Sequence, residues 1–455
     1  MGCCNRRCGL IAGAVIGAAV AILGGVLIPV GNSIIEGTVK QEAVIEPGTT
    51  AYDNWVSTGA FVYRQLWLFD VKNPIEVIEY GAVPVVVEKG PYTYKIRYLP
   101  KENISFHANH TAAFLLPQGA IFEPSLSVGP EEDEVTSLNV AVAAAYSLIP
   151  QGLHILLEKW IKNSNSSLFQ RRTIKELLWG YRDPILNETI GLFSPYNGTY
   201  DGYYNVHTGK DDISKKQLLY FFSSDICRSV SAAYEQTLDL KGIKVYRYTL
   251  QQSTLASPTI NPDNKCFCRD MKVTQNCTLA GALDISSCQQ GRPIYISLPH
   301  FLYGSASLRE HVLGLQPSEE HHFTFLDVEP TTGFTLRFAK RIQVNMVYGP
   351  SKIITVLKKV KNYTIFPLVW LNEVRDAARG PAAAWLLLSK RLPLCPCAQT
   401  ASVDDETAQM FKDELISRIQ MLDVVQKALL GIGVSVFCLC LIAYFVVRRR
   451  EGKLA

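Results

Sequence analysis

The chain has 455 residues, a formal net charge of +4, 48% apolar residues and 19% charged ones. A positive balance this mild, scattered along the chain, excludes a nucleic-acid binder. A chain this long and this apolar can bury a sizeable core and enclose an apolar cavity within it.

A short basic tail, residues 1–8, leads into an uncharged apolar run from Gly9 to Val30. A second run, Ala428 to Val447, precedes residues 448–455. At 1.5 Å per residue, each crosses a hydrocarbon core of about 30 Å as a helix. Arg6 and Arg7 precede the first run, and Arg448, Arg449, Arg450 and Lys453 follow the second. The positive-inside rule therefore sets both tails in the cytoplasm and residues 31–427 outside it as one domain. A cleaved secretory signal also starts basic and turns apolar, but its apolar region usually holds about 7 to 15 residues. The first run is longer and lacks a clear cleavage box, so it reads as an uncleaved anchor. Gly9, Gly13 and Gly17 have small-xxx-small spacing, which predicts a face packed on the second span or on a neighbouring copy.

In the first tail, Cys3, Cys4 and Cys8 lie beside the membrane in a reducing compartment, where S-acylation is their expected chemistry. Myristoylation is not expected, because Arg6 occupies the sixth position, where Ser or Thr is required. Cys438 and Cys440 fall inside the second span and read as small apolar side chains. Between the spans, the sequons at Asn103, Asn109, Asn165, Asn187, Asn197, Asn276 and Asn362 predict a glycosylated surface. Asn276 is set apart by Cys277 inside its triplet.

Tyr92 to Tyr98 alternates apolar and polar residues and predicts a half-buried antiparallel strand. Leu138 to Leu148, Leu153 to Ile161 and Thr173 to Trp179 carry apolar residues at helical spacing, with no Gly or Pro inside. They predict a helical cluster over 138–180 between strand-rich regions. Phe334 to Met346 alternates again, with a phase change near Ala339 and Lys340 that predicts a bulge.

The cysteines between the spans are Cys227, Cys266, Cys268, Cys277 and Cys288, then the separate Cys395-Pro396-Cys397. This is not the paired spacing of structural zinc sites, and an exported domain is oxidised, so disulfides are expected. The compact group is odd in number, so at least one thiol is unpaired or finds its partner elsewhere. No G-x-S-x-G elbow, P-loop, H-E-x-x-H or G-x-G-x-x-G motif lies between the spans, and no enzyme, cofactor or metal is expected. Glu319-Glu320-His321-His322 comes nearest to a metal cluster; adjacent histidines point apart, and the stretch reads as a solvated turn.

Five longer stretches carry a resemblance: Gly90 to Tyr94 (GPYTY), Gly119 to Ser125 (GAIFEPS), Glu176 to Asp183 (ELLWGYRD), Phe221 to Ser229 (FFSSDICRS) and Gly291 to Tyr303 (GRPIYISLPHFLY). They strongly resemble class B scavenger receptors, over Met1 to about Asn372 and from about Asp404 to the end. The resemblance implies an α+β fold: an antiparallel β-barrel ectodomain with an internal apolar tunnel, an apical helical bundle at 138–180, and two transmembrane helices. It implies a receptor of the plasma membrane, and of Golgi and membrane rafts, that takes up long-chain fatty acids and oxidised lipoproteins. Thrombospondin and collagen are the implied protein partners. The runner-up readings are a high-density-lipoprotein and cholesteryl ester receptor of the same family and a two-span ligand-gated channel. A channel wants polar pore-lining residues, and the second span offers only Ser435 and two cysteines. A lysosomal member would carry an acidic dileucine signal, which Glu451 to Ala455 lacks.

Transferred residue by residue, the resemblance implies the bridges Cys227 to Cys288 and Cys268 to Cys277. The family segment that holds the partner of Cys266 is missing between Ser214 and Leu218, around Lys215, which leaves Cys266 unpaired or re-paired to Cys395 or Cys397. Asn163 and Asn165 stand where the family carries two lysines for anionic ligands, so Lys159, Lys162, Arg171 and Arg172 become the candidate ligand-binding residues. Asn103 to Thr111 carries His107 and His110 where the family has acidic residues associated with thrombospondin. Residues 375–402 have no family counterpart and form an atypical insertion. Phe445 and Val447 replace the family's second-tail cysteines, which makes acylation one-sided.

Overall fold

The structure is a computed structural model that describes residues 6–57, 61–96, 99–194, 198–200, 202–210, 218–376, 401–402, 408–409 and 412–451. It divides into two compact units, residues 1–51 with 405–455, and residues 52–404.

The first unit pairs two helices, Arg6–Glu42 and Ser417–Glu451. Each contains a stretch long and apolar enough to cross a membrane, with mean hydropathy 2.5 and 2.6. Both helices run past the expected spans, because hydropathy sets the span whereas the backbone ladder sets the helix; the exposed Glu36–Lys40 pair, one turn apart, supports the extension. The glycine face is present but shifted. Gly17, Gly24 and Gly31 are buried at seven-residue spacing, the repeat of a left-handed helix pair, while Gly9 meets nothing. A Cβ on Gly17 would lie 2.6 Å from the Phe437 amide nitrogen, and one on Gly24 2.5 Å from that of Leu430. Only a hydrogen in place of a side chain lets the backbones approach so closely. Gln426 Nε2 donates to the Leu27 carbonyl at 2.8 Å, tying the two helices together by a polar bond.

The second unit is built on an open antiparallel sheet. Its strands lie side by side in the order Leu218–Ser223, Arg228–Leu240, Ile243–Leu250, Phe325–Val328, Thr335–Tyr348, Thr364–Asp376, Phe61–Val71, Val86–Ile96 and Ile121–Phe122. The expected closed barrel is not found among the described residues. Closure needs a partner for every edge, and the last strand offers only the pairs Tyr94–Phe122 and Lys95–Ile121. In the centre, Phe61–Val71 pairs with Thr364–Asp376 from Phe61 opposite Asp376 to Leu68 opposite Val369. Trp67 and Trp370 are paired across this ladder, and their rings stack at 3.9 Å. The bulge expected near Ala339 falls close by, at Leu336, the extra residue between the pairs Asp327–Arg337 and Val328–Thr335, and a second irregularity lies between Val344 and Asn345. Asn345 faces Pro367, which has no N–H to give the ladder, and the extra residue is Leu368 on the partner strand.

The expected helices appear as Val140–Leu148, His154–Asn163 and Ile174–Trp179. Asn139 caps the first by accepting from the Ala141 and Val142 amides, and a Thr173–Glu176 capping box starts the third. The 138–180 cluster is not purely helical, since the antiparallel pair Glu134–Leu138 and Phe169–Thr173 borders it. Residues 377–400, most of the 375–402 insertion with Cys395 and Cys397, lie outside the described residues, as do Lys215, Cys3, Cys4 and Asn197.

The packing of the two terminal helices yields a direct test. A Cβ on Gly13 would lie 2.7 Å from the Cys440 sulfur. A Gly13→Cys variant is expected to crosslink to the native Cys440 on mild oxidation in membranes, whereas Gly9→Cys is not. Linked-peptide mass spectrometry reads the result; equal linkage at both positions would refute the packing.

Candidate lipid-binding site

Alternation along Phe61–Val71 sends Arg64, Leu66 and Leu68 to one face of the sheet and Gln65, Trp67 and Phe69 to the other. On the first face Leu66 and Leu68 pack with Tyr92, Tyr94, Leu177 and Val369. Two cavities follow one another along it. One is lined by Arg64, Leu66, Tyr94, Ile96, Trp179 and Phe193 among others, the next by Leu68, Leu177, Tyr181, Leu192 and Leu368 among others. Each has room for about one water molecule. Neither is an open bore, so these two cavities do not provide the expected tunnel.

A row of charges closes the wall beside the first cavity, since Arg64, Glu373 and Lys340 stand opposite one another on three neighbouring strands. Arg64 Nε donates to Glu373 Oε1 at 3.1 Å, and Nη2 donates to the same oxygen. Lys340 Nζ donates to Asp225 and lies 3.6 Å from Glu373. Burial opposes the Arg64 charge, yet the Glu373 and Asp225 carboxylates hold its guanidinium above the ordinary range. Burial likewise pushes Asp225 up, and Lys340 and Arg64 more than offset it. Two cations and two carboxylates balance, and removing one member of such a buried group costs about 3–5 kcal/mol.

The His154–Asn163 helix buries His154, Leu157 and Ile161. Its outward side is apolar to an unusual degree: Leu153, Ile155, Leu156 and Trp160 are exposed, as is Leu148 at the end of the preceding helix. Ile155, Lys159 and Lys162 recur at one-turn spacing, so cations and apolar groups interleave on this surface. Of the four candidate basic residues, Lys159 is exposed and makes no ion pair among the described residues, while Lys162 pairs with Glu158 at 2.9 Å. Arg171 and Arg172 sit on the Phe169–Thr173 strand, facing opposite ways, where Glu134 neutralises the first and Glu176 the second. Arg172 also lies over the Tyr181 ring at 4.3 Å. The four therefore do not converge on one site.

Asn103, Asn109, Asn165, Asn187, Asn276 and Asn362 are all exposed. Cys227 is bridged to Cys288 and Cys268 to Cys277, and Cys266 is an exposed free thiol. Cys8 is exposed too.

On the opposite face of the sheet lies a cluster that reading the residues one by one did not single out. Ligand atoms of Glu88, His300 and His322 lie within 4.8 Å of one another. The solvated-turn expectation for His322 is corrected here: the short Glu319–His322 helix packs down so that His322 is buried, with its ring stacked on His300 at 4.4 Å. His300 Nδ1 accepts the Gln316 amide at 3.0 Å, and His322 Nδ1 accepts the Ser318 amide at 3.0 Å. A backbone N–H can only donate, so the neutral rings carry their protons on Nε2. His300 Nε2 donates to Glu88 Oε2 at 2.6 Å, and Trp370 Nε1 donates to the same oxygen at 2.8 Å. Metal ligation through Nε2 would require the other tautomer, with Nδ1 donating, and parallel rings do not aim their lone pairs at one point. The cluster is built for hydrogen bonding.

The CD36 family model matches residues 15–218 and 213–444. Lysosome membrane protein 2 of Rattus norvegicus is 31% identical over 398 residues, which covers 74% of this chain and 80% of that protein. Scavenger receptor class B member 1 of Cricetulus griseus is 27% identical over 473 residues, which covers 92% of this chain and 86% of that protein.

The disulfide arrangement has a chemical readout. Iodoacetamide is expected to label Cys266 in the native, unreduced protein and to leave Cys227, Cys268, Cys277 and Cys288 unlabelled. A peptide map that joins Cys266 to any other cysteine would overturn this.

Proposed function

The chain belongs to the CD36 family, and from that premise we propose that it is a two-pass plasma-membrane receptor for lipid cargo, working as a class B scavenger receptor. Its ligands are oxidised lipoproteins and long-chain fatty acids, with thrombospondin and collagen as secondary partners. The observation that carries the reading is the exposed surface of Leu153, Ile155, Leu156 and Trp160 with Lys159 and Lys162 beside it. A soluble domain gains nothing by leaving such a surface in water. Against a lipid monolayer, each buried large side chain contributes about 1.5–3 kcal/mol, and the lysines meet the anionic groups of oxidised lipid. From there, acyl chains pass along the apolar face of the sheet, past Leu66 and Leu68, with Arg64 at one cavity wall. That passage requires the two cavities to widen and join. The runner-up is the high-density-lipoprotein receptor role, favoured by the 92% coverage of this chain in the class B member 1 match.

Cells lacking endogenous receptors and expressing this chain are expected to take up fluorescent long-chain fatty acid above background. Cholesteryl ester uptake equal to or above that of fatty acid would instead favour the runner-up. A Leu156→Asp, Trp160→Asp variant is expected to bind oxidised lipoprotein at least about tenfold more weakly, from the loss of two buried apolar contacts. Unchanged binding at normal surface levels would move the docking surface elsewhere.

A further inference from the structure

Two stacked histidines hold two amides of one short segment. Gln316 and Ser318 flank Pro317, and their N–H groups are taken by Nδ1 of His300 and of His322. His322 begins its own attachment at Ser318 through the Glu319–His322 turn, while His300 sits in a backbone under strain: His300, Phe301 and Tyr303 all have φ between 54° and 59°. Three non-glycine residues in the left-handed region are strained and persist only when the surroundings hold them.

We propose that the His300–His322 stack is an acid-operated latch: in place it pins the Gln316–Ser318 segment to the sheet, and acid favours the released segment because a freed His322 ring takes up a proton. The proton comes from solvent and lands on Nδ1 of a His322 ring that has already swung free, so that nitrogen can no longer accept the Ser318 N–H and the latch does not re-form. The surroundings set the direction. Burial first, then His300, Arg341 and His321, push the His322 imidazole down to about 3. Arg341 approaches from the Thr335–Tyr348 strand, where its guanidinium is buried and, among the described residues, bonded only to the carbonyls of Glu320 and Phe323. Glu88 faces His300 from the Val86–Ile96 strand. On the covering segment itself, Arg309 donates to the Phe301 carbonyl and Glu319 accepts from Tyr303.

The sign follows from linkage. A released His322 regains the ordinary value near 6.5, whereas the latched one stays near 3. Protons therefore bind the open form preferentially, and the latch weakens as pH falls below about 6.5. Between pH 7.4 and pH 5.0, opening becomes about 30-fold more favourable from this one ring.

Hydrogen–deuterium exchange of the full chain in nanodiscs tests the latch, after correction for intrinsic rates. Protection of a peptide covering residues 311–323 is expected to fall about 30-fold from pH 7.4 to pH 5.0, while one covering 364–374 keeps its protection. In His322→Gln, whose amide oxygen accepts the Ser318 N–H without titrating, the drop is expected to vanish; in His321→Gln it is expected to remain. An unchanged wild-type peptide overturns the latch, as does an equal loss at 364–374 or a drop that survives His322→Gln. If His322→Gln fails to fold, the wild-type contrast between the two peptides decides alone.

Discussion

The pairing of Phe61–Val71 with Thr364–Asp376 is the constraint on which the second unit depends. It joins residues about three hundred positions apart, and its register fixes what each face of the sheet carries. With Leu68 opposite Val369 and Arg64 opposite Glu373, one face receives the side chains that line the two cavities and the row of balanced charges. The intervening residues place Trp67 on Trp370 and Gln65 beside Asn372 on the other. A slip of one residue would exchange the two sets. Arg64 would then lose Glu373, and an unpaired charge would be left in the core. The buried row is therefore an argument about register as much as about stability: it is neutral only in the register observed.

What the sequence made legible was local. The Val140–Leu148, His154–Asn163 and Ile174–Trp179 helices follow from apolar spacing without Gly or Pro, with limits close to those expected. The two terminal helices follow from hydropathy alone. What escaped was whatever depends on a partner far along the chain. Arg171 and Arg172 read as candidate ligand-binding residues because Glu134, which pairs with Arg171, lies across a strand pair, and Glu176 was not weighed against them. His322 read as solvated because Glu319-Glu320-His321-His322 is polar throughout. Its burial comes from the sheet and from His300, some twenty residues away, and no local pattern encodes that. His300 itself lay in a stretch noticed only for its resemblance. The glycine face was half legible: its spacing was read as a repeat of four, but seven is what keeps Gly17, Gly24 and Gly31 against the partner helix.

The site divides in the same way. The apolar face could be expected from composition, since a chain this rich in apolar residues has them to spare. Its width could not, because cavity size is the difference between large packed volumes and changes with a single side chain. Trp179 and Phe193 line one cavity, and either ring turned aside would enlarge it. The exposed apolar helix surface is legible only once the buried side is known: Leu157 and Ile161 are as apolar as Leu156 and Ile155, and the structure decides which pair meets water.

Arg341 explains why acid would act on the open form of the His300–His322 pair rather than the closed one. Its guanidinium is buried, and burial lowers it to about 10, so it still carries its charge at neutral and acid pH. Its hydrogen bonds run to carbonyl oxygens, which solvate the cation without cancelling it. A fixed positive charge next to His322 keeps the closed state from taking a proton there, and the stacked His300 ring leaves little room for one to be shared. Protons then cannot act by passing through a charged closed intermediate. They can only trap His322 after it has swung free, which makes the segment's response a shift of population set by how often it opens. The strained backbone at His300, Phe301 and Tyr303 supplies the tendency to open, and the neutral hydrogen bonds to Gln316 and Ser318 supply the restraint, so the two are opposed within one stretch of chain.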